Sequence, residues 1–194
     1  MIFKAIGENL TGLARPSGRA ARGQFWPWAI TVFLLAMAAD ILLFVPVMTD
    51  MMNRMFLYLR AHPEGFPQPA PGQPPALPPE LTPDMARMAI PTSVVMLIGI
   101  LLLASAVVRR LHDRDKPGWW GALPLPFQAA AMAMSPFVLK NITVFPNPHP
   151  GLLLLSTLNS LAFWGAFIFL IVLLAGDGTR GPNRFGPDPR GGQS

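Results

Sequence analysis

Between Arg109 and Lys116 the chain reads RRLHDRDK, with six charged residues in eight positions. It is the stretch best equipped for chemistry. His112 beside Asp113 could handle a proton, and the flanking guanidinium groups could hold a phosphate or carboxylate. Adjacent residues on a helix point about 100° apart, so His112 and Asp113 are badly placed to bond each other there. A plainer role competes. A charged side chain in mid-membrane costs about 2.5–3.5 kcal/mol on insertion scales, so Arg109 and Arg110 mark where an apolar helix leaves lipid. Pro117 and Gly118 break the backbone next, and Trp119 and Trp120 suit the lipid–water boundary.

Other chemistry is thin. There is no Cys, and His62, His112 and His149 lie too far apart to give metal-ligand spacing. No nucleophile–base pair and no carboxylate cluster for Mg²⁺ is visible. An enzyme acting on a lipid phosphate would rest on His112 as its acid or base. The expectation is therefore no enzymatic activity, no cofactor and no metal. The tail GDGTRGPNRFGPDPRGGQS is glycine-rich, but no Gly-Lys-Ser/Thr follows and no strand precedes it, so it is not a phosphate loop.

These residues must be positioned by apolar helices. The chain has 194 residues, enough for one domain, with 52% hydrophobic and only 13% charged side chains. That charge is about half the usual share for a soluble domain. The apolar runs predict an all-α, polytopic membrane protein with about four transmembrane helices, near 28–48, 91–108, 119–139 and 152–175. Phe25, Trp26 and Trp28 read as an interfacial belt before the first span. Arg19 and Arg22, three apart, share a face if their segment is helical. Residues 49–60 carry a possible stripe of Met51, Met52, Met55, Phe56 and Leu59, as an interfacial helix or an extension of the first span. Residues 61–83 are proline-dominated and read as an external linker, with Thr82-Pro83-Asp84 as a helix start. Pro124, Pro126 and Pro136 make the third span irregular, either kinked or re-entrant. Asn141-Ile142-Thr143 matches a glycosylation acceptor, a frequent chance pattern.

Besides Ser and Thr, the carboxylate and amide side chains inside these spans are Asp40, Gln128 and Asn159. Asp40 lies ~18 Å past Trp28 at 1.5 Å per residue. It either reaches the outer interface or faces the bundle and pairs with Gln128 or Asn159. The N-terminal segment is not a cleavable signal, since its apolar run starts too late.

Eleven Lys and Arg fall in the N-terminal segment, the central turn and the tail, against four in the other two loops. Positive charge favours the cytosolic side, so both termini and residues 176–194 are expected in the cytosol. The net charge of +5 gathers at membrane flanks, which argues against nucleic acid as a partner.

Three stretches, GRAARGQFW at 18–26, RRLHDRDKPGWW at 109–120 and GPNRFGPDP at 181–189, resemble the signature blocks of the domain-of-unknown-function family numbered 805. That resemblance implies a small, multi-pass protein of the bacterial inner membrane and implies no activity. The loop between the first two spans is longer and richer in proline than the family pattern. The distance from Trp120 to Asn183 is also long for the family, as an inserted span would make it.

With four spans the three blocks meet at one face, as a cluster of Arg19, Arg22, Arg109, Arg110, His112, Asp113, Trp119, Trp120, Asn183 and Arg184. The first expectation is a non-enzymatic membrane protein whose basic cytosolic face binds anionic lipid head groups or a membrane protein partner. The alternative is a small transporter or channel component, as a homo-oligomer, with Asp40, Gln128 and Asn159 lining its path.

Overall fold

The computed structural model describes residues 2–68, 78, 81, 85–142 and 149–191. The linker residues 69–77 and 79–80, the helix start expected at Thr82-Pro83-Asp84, and the loop 143–148 with Thr143 lie outside these. The described residues form five α-helices: α1 (Ile2–Thr11), α2 (Arg22–Ala61), α3 (Met85–Asp113), α4 (Leu125–Ile142) and α5 (Pro150–Ala175). A 3₁₀ turn, Gly118–Ala122, precedes α4. The described residues contain no strand, only an isolated antiparallel bridge between Asn183 and Gly186.

Helices α2, α3 and α5 are each long and apolar enough to cross a membrane. Helix α4 is not among them. It spans 18 residues with Pro136 inside it, and Lys140 adds a charge near its end. The expected third span thus divides into the 3₁₀ turn and a shorter helix, because Pro124 and Pro126 interrupt the run at its start. Helix α2 is one continuous element of 40 residues, through Pro27 and Pro46. At 1.5 Å per residue it is ~60 Å long. The methionine stripe at 51–59 is therefore its last part, with Met52 and Phe56 well exposed.

Helix α2 packs chiefly on α3 and α1, and α4 on α5, while α3 meets α5 more sparsely. The buried core is concentrated toward one end of these helices. Phe25, Trp28 and Val32 of α2 meet Ala106 and Leu111 of α3 and Leu170 and Leu174 of α5. Spacings of three and four residues put the three α2 side chains on one stripe. This corrects the interfacial belt: Phe25 and Trp28 are core residues, and the Trp28 indole N–H donates to the Leu102 carbonyl at 3.1 Å. An aromatic beside arginines reads the same at a lipid boundary and at a helix crossing, which is why its surroundings were not legible. Trp119 remains exposed and stacks on Trp120, at 4.3 Å between centroids, and Trp120 leans on Phe169.

Candidate functional site: an arginine–aspartate clasp

Next to this core, three segments distant in sequence close on one another. Asp113 ends α3, and its carboxylate lies between two guanidinium groups. Arg19 donates to Oδ1 through Nε (3.1 Å) and Nη2 (2.9 Å), and Arg110 donates to Oδ2 through Nη1 (2.6 Å). The Arg110 and Asp113 residues are 0% and 1% exposed. A buried charge is tolerated only when paired and fully hydrogen-bonded. The remaining donors meet that requirement on the protein's own backbone. Arg19 donates to the carbonyls of Thr179 and Gly181, both at 2.6 Å. Arg110 donates to Leu174 (2.9 Å) and Gly176 (2.6 Å), and more weakly to Ala20 (3.3 Å).

These acceptors explain why arginines stand here. The last carbonyls of a helix have no partner within it and carry partial negative charge. Arg110 and Arg114 supply donors to the end of α5, Arg114 bonding Val172 and Leu173. The end of α3 is covered by the tail. Thr179 donates its backbone N–H to the Asp113 carbonyl at 2.8 Å, and the Asn183 amide donates to the His112 carbonyl at 2.9 Å. The N-terminal block closes the third side, with Ala20 N–H on the Arg109 carbonyl at 3.0 Å. Gly178 permits the tail to lie this close, because a Cβ there would collide with the Asp113 carboxylate.

His112 and Asp113 do not bond each other in this arrangement. The His112 ring contacts the Gly18 carbonyl through Nδ1 at 3.1 Å and stacks on Phe185, with centroids 3.9 Å apart and planes 4° apart. Arg19 precedes α2, outside any helix, so it does not share a helical face with Arg22. Arg22 pairs instead with Asp177 at 3.0 Å. Arg184 pairs with exposed Asp115 at 3.1 Å and lies over the Phe185 ring. Arg109 turns toward α1, donating to Asn9 Oδ1 (2.7 Å) and to the carbonyls of Gly12 (2.8 Å) and Arg15 (3.0 Å). The structure therefore brings the Arg, His, Asp and Asn members of the cluster together, and commits Arg19, Arg109 and Arg110 to internal bonds.

Asn9, Ser105, Thr179 and Phe185 are parts of this site that the sequence reading did not single out. Buried Asn9 also donates to the Ala5 and Gln24 carbonyls, and Ser105 donates to Gly12 at 2.8 Å. Their available signal was position: Asn9 sits one turn after Ala5 on the inner face of α1, and Ser105 one turn before Arg109.

The three polar residues expected inside spans, Asp40, Gln128 and Asn159, do not meet. Asn159 donates to the Phe127 carbonyl at 3.0 Å, tying α5 to α4. Gln128 is half-buried. Asp40 bonds neither of them, and its Oδ1 is buried without a hydrogen-bond partner. Of the two readings of Asp40, the pairing with Gln128 or Asn159 is thereby corrected: α2 packs chiefly on α3 and α1, and the Asn159 amide is committed to the Phe127 carbonyl.

A family profile described as "Protein of unknown function (DUF805)" matches residues 13–187. The match runs from just before Arg19 to just after Phe185 and so encloses all three parts of the clasp. No curated protein and no solved structure matches the chain.

Proposed function

From the premise that the chain belongs to the DUF805 family, whose function is unknown, we propose a role read from its own geometry. It is a non-enzymatic integral protein of the bacterial inner membrane, crossing four times with both termini in the cytosol. The clasp end faces the cytosol and engages anionic lipid head groups.

The observation that carries this reading is which cations the clasp leaves outside. Arg15, Lys116 and Arg180 are exposed, at the clasp end, and have no ion pair among the described residues. Each basic side chain near an anionic leaflet contributes about 1 kcal/mol of attraction. Helix α1 adds an apolar contact beside them, since Phe3 is 89% exposed and Leu10 50%. A short helix with such residues outward suits the head-group boundary.

Four crossings are supported by chain direction. The start of α2 and the ends of α3 and α5 all lie at the clasp. The chain must therefore return to the far end between α3 and α5, through the 3₁₀ turn and α4. A carboxy-terminal fluorescent reporter should be active and an alkaline phosphatase fusion silent; the reverse pattern removes the four-crossing reading.

Lipid retention tests the head-group role. Native mass spectrometry of protein extracted with phosphatidylglycerol and cardiolipin should show anionic adducts that fall in a triple Arg15→Ala, Lys116→Ala, Arg180→Ala variant. Equal retention in a correctly inserted variant rejects it. A second reading, a small oligomeric transporter or channel component, draws support from the solitary carboxylate of Asp40.

A further inference from the structure

Asp40 stands away from the clasp, in the apolar part of α2. It is twelve residues beyond Trp28, or ~18 Å along the helix. Its side chain lines a groove of about 490 Å³ between α2 and α3, walled by Phe33, Ala36, Met37 and Phe44, with Thr92 from α3. Phe33, Met37 and Phe44 are also solvent-accessible on the outer surface, so the groove opens sideways rather than into a sealed core. A volume of this size suits a drug-sized molecule.

A carboxylate in such a place is costly unless something meets its charge. Oδ1 is buried with no partner, and no ion pair of Asp40 exists among the described residues. The chain itself has no Lys or Arg between Arg22 and Arg54, Arg87 and Arg109, or Lys140 and Arg180. A second copy therefore brings no cation to this depth from its own apolar helices. A metal ion is a poor match, because hard cations want several oxygen ligands and the described residues hold no cluster of three acidic, His or Cys side chains. The wall is apolar and partly aromatic. Aromatic faces attract a cation with diffuse charge, and apolar side chains accept its body.

We infer that the Asp40 groove is a binding site for a lipophilic organic cation, entered from within the bilayer. Asp40 supplies the countercharge, Phe33 and Phe44 the aromatic contact, and Ala36 the space. The site is independent of the head-group reading, since none of its residues belongs to the clasp.

The probe is radiolabelled tetraphenylphosphonium, bound at equilibrium to the full chain in detergent micelles. Saturable binding should weaken more than tenfold in Asp40→Asn. It should weaken similarly in Ala36→Phe, which fills the groove and keeps the carboxylate. Triphenylmethane, uncharged and similarly shaped, should fail to compete on the wild type, a readout that needs no variant to fold. The inference is overturned by absence of saturable binding to the wild type, or by equal binding in both folded variants. It is overturned equally by competition from the neutral compound. Loss of a stable oligomer in Asp40→Asn, with no cation bound by the wild type, overturns it in favour of a second copy on this face.

Discussion

At its carboxyl end α3 is bonded to three other segments: Arg19 on Asp113, Thr179 and Asn183 on its last carbonyls, and its own Arg110 on the end of α5. Around Thr92, seventeen residues before Arg109, α2 and α3 border a groove in which a lone carboxylate oxygen has no partner. The same helix pair is thus tightly specified at one end and loosely at the other. Apolar side chains in lipid gain little by choosing a neighbouring helix over a lipid tail. Directional bonds to helix ends do choose, because each carbonyl accepts from a donor in one place. The polar end therefore fixes which helices stand together, and the apolar lengths follow.

The contrast can be broken most sharply at Asp113. Asp113→Asn leaves the buried guanidinium groups of Arg19 and Arg110 without a countercharge, with side chains 1% and 0% exposed. The expected loss is about 3–5 kcal/mol, read from SDS-induced unfolding of the purified protein. A change near zero would show that the clasp is not what holds this end. Arg109→Ala should cost roughly 1.5–3 kcal/mol, since it removes charged hydrogen bonds to Asn9, Gly12 and Arg15. Its signature is local: hydrogen exchange should rise in α1 and stay low at the end of α5.

Gly178→Ala forces a Cβ into the Asp113 carboxylate. A shift of the tail at about 1–3 kcal/mol is expected, with faster proteolysis around Arg180 as the check. Within the tail, the Arg190 side chain and backbone bond Asp188 and hold its carboxyl below the usual carboxylate range. Because the folded value is depressed, this contribution is fully present above the ordinary range and is lost as pH falls through the folded value. Exchange protection of the Gly181 amide, which donates to Asp188 at 3.0 Å, should fall as pH drops through the depressed folded value, and this pH-dependent step should be absent in Asp188→Asn, whose side chain does not titrate. At the far extreme, Leu101→Ala on the exposed side of α3 should move stability by under about 0.5 kcal/mol, measured in the same SDS titration.

The apolar lengths of α2, α3 and α5 were legible because lipid imposes a long uncharged run on any helix that crosses it. The convergence of the three charged blocks was legible from chain direction. What the arginines do was not. Arg110 at a helix end has the same sequence signature whether it faces head groups or caps a neighbouring helix, and only the position of Leu174 and Gly176 decides. Helix α1 was hidden for another reason. Its inner face carries Ala5 and Asn9, so burial there follows hydrogen bonding to Arg109 more than apolar periodicity.

The chain order of the clasp also sets a timetable. Synthesis runs from the amino terminus, so Arg19 emerges long before Thr179 and Gly181. Once α3 exists, Asp113 can already pair with Arg110 three residues away, but two carbonyls that satisfy Arg19 have yet to leave the ribosome. Closure therefore waits for α5 to be in place. Until then Arg19 can reach Asp113 but lacks the Thr179 and Gly181 carbonyls, so the clasp stands half closed while α5 is still being made.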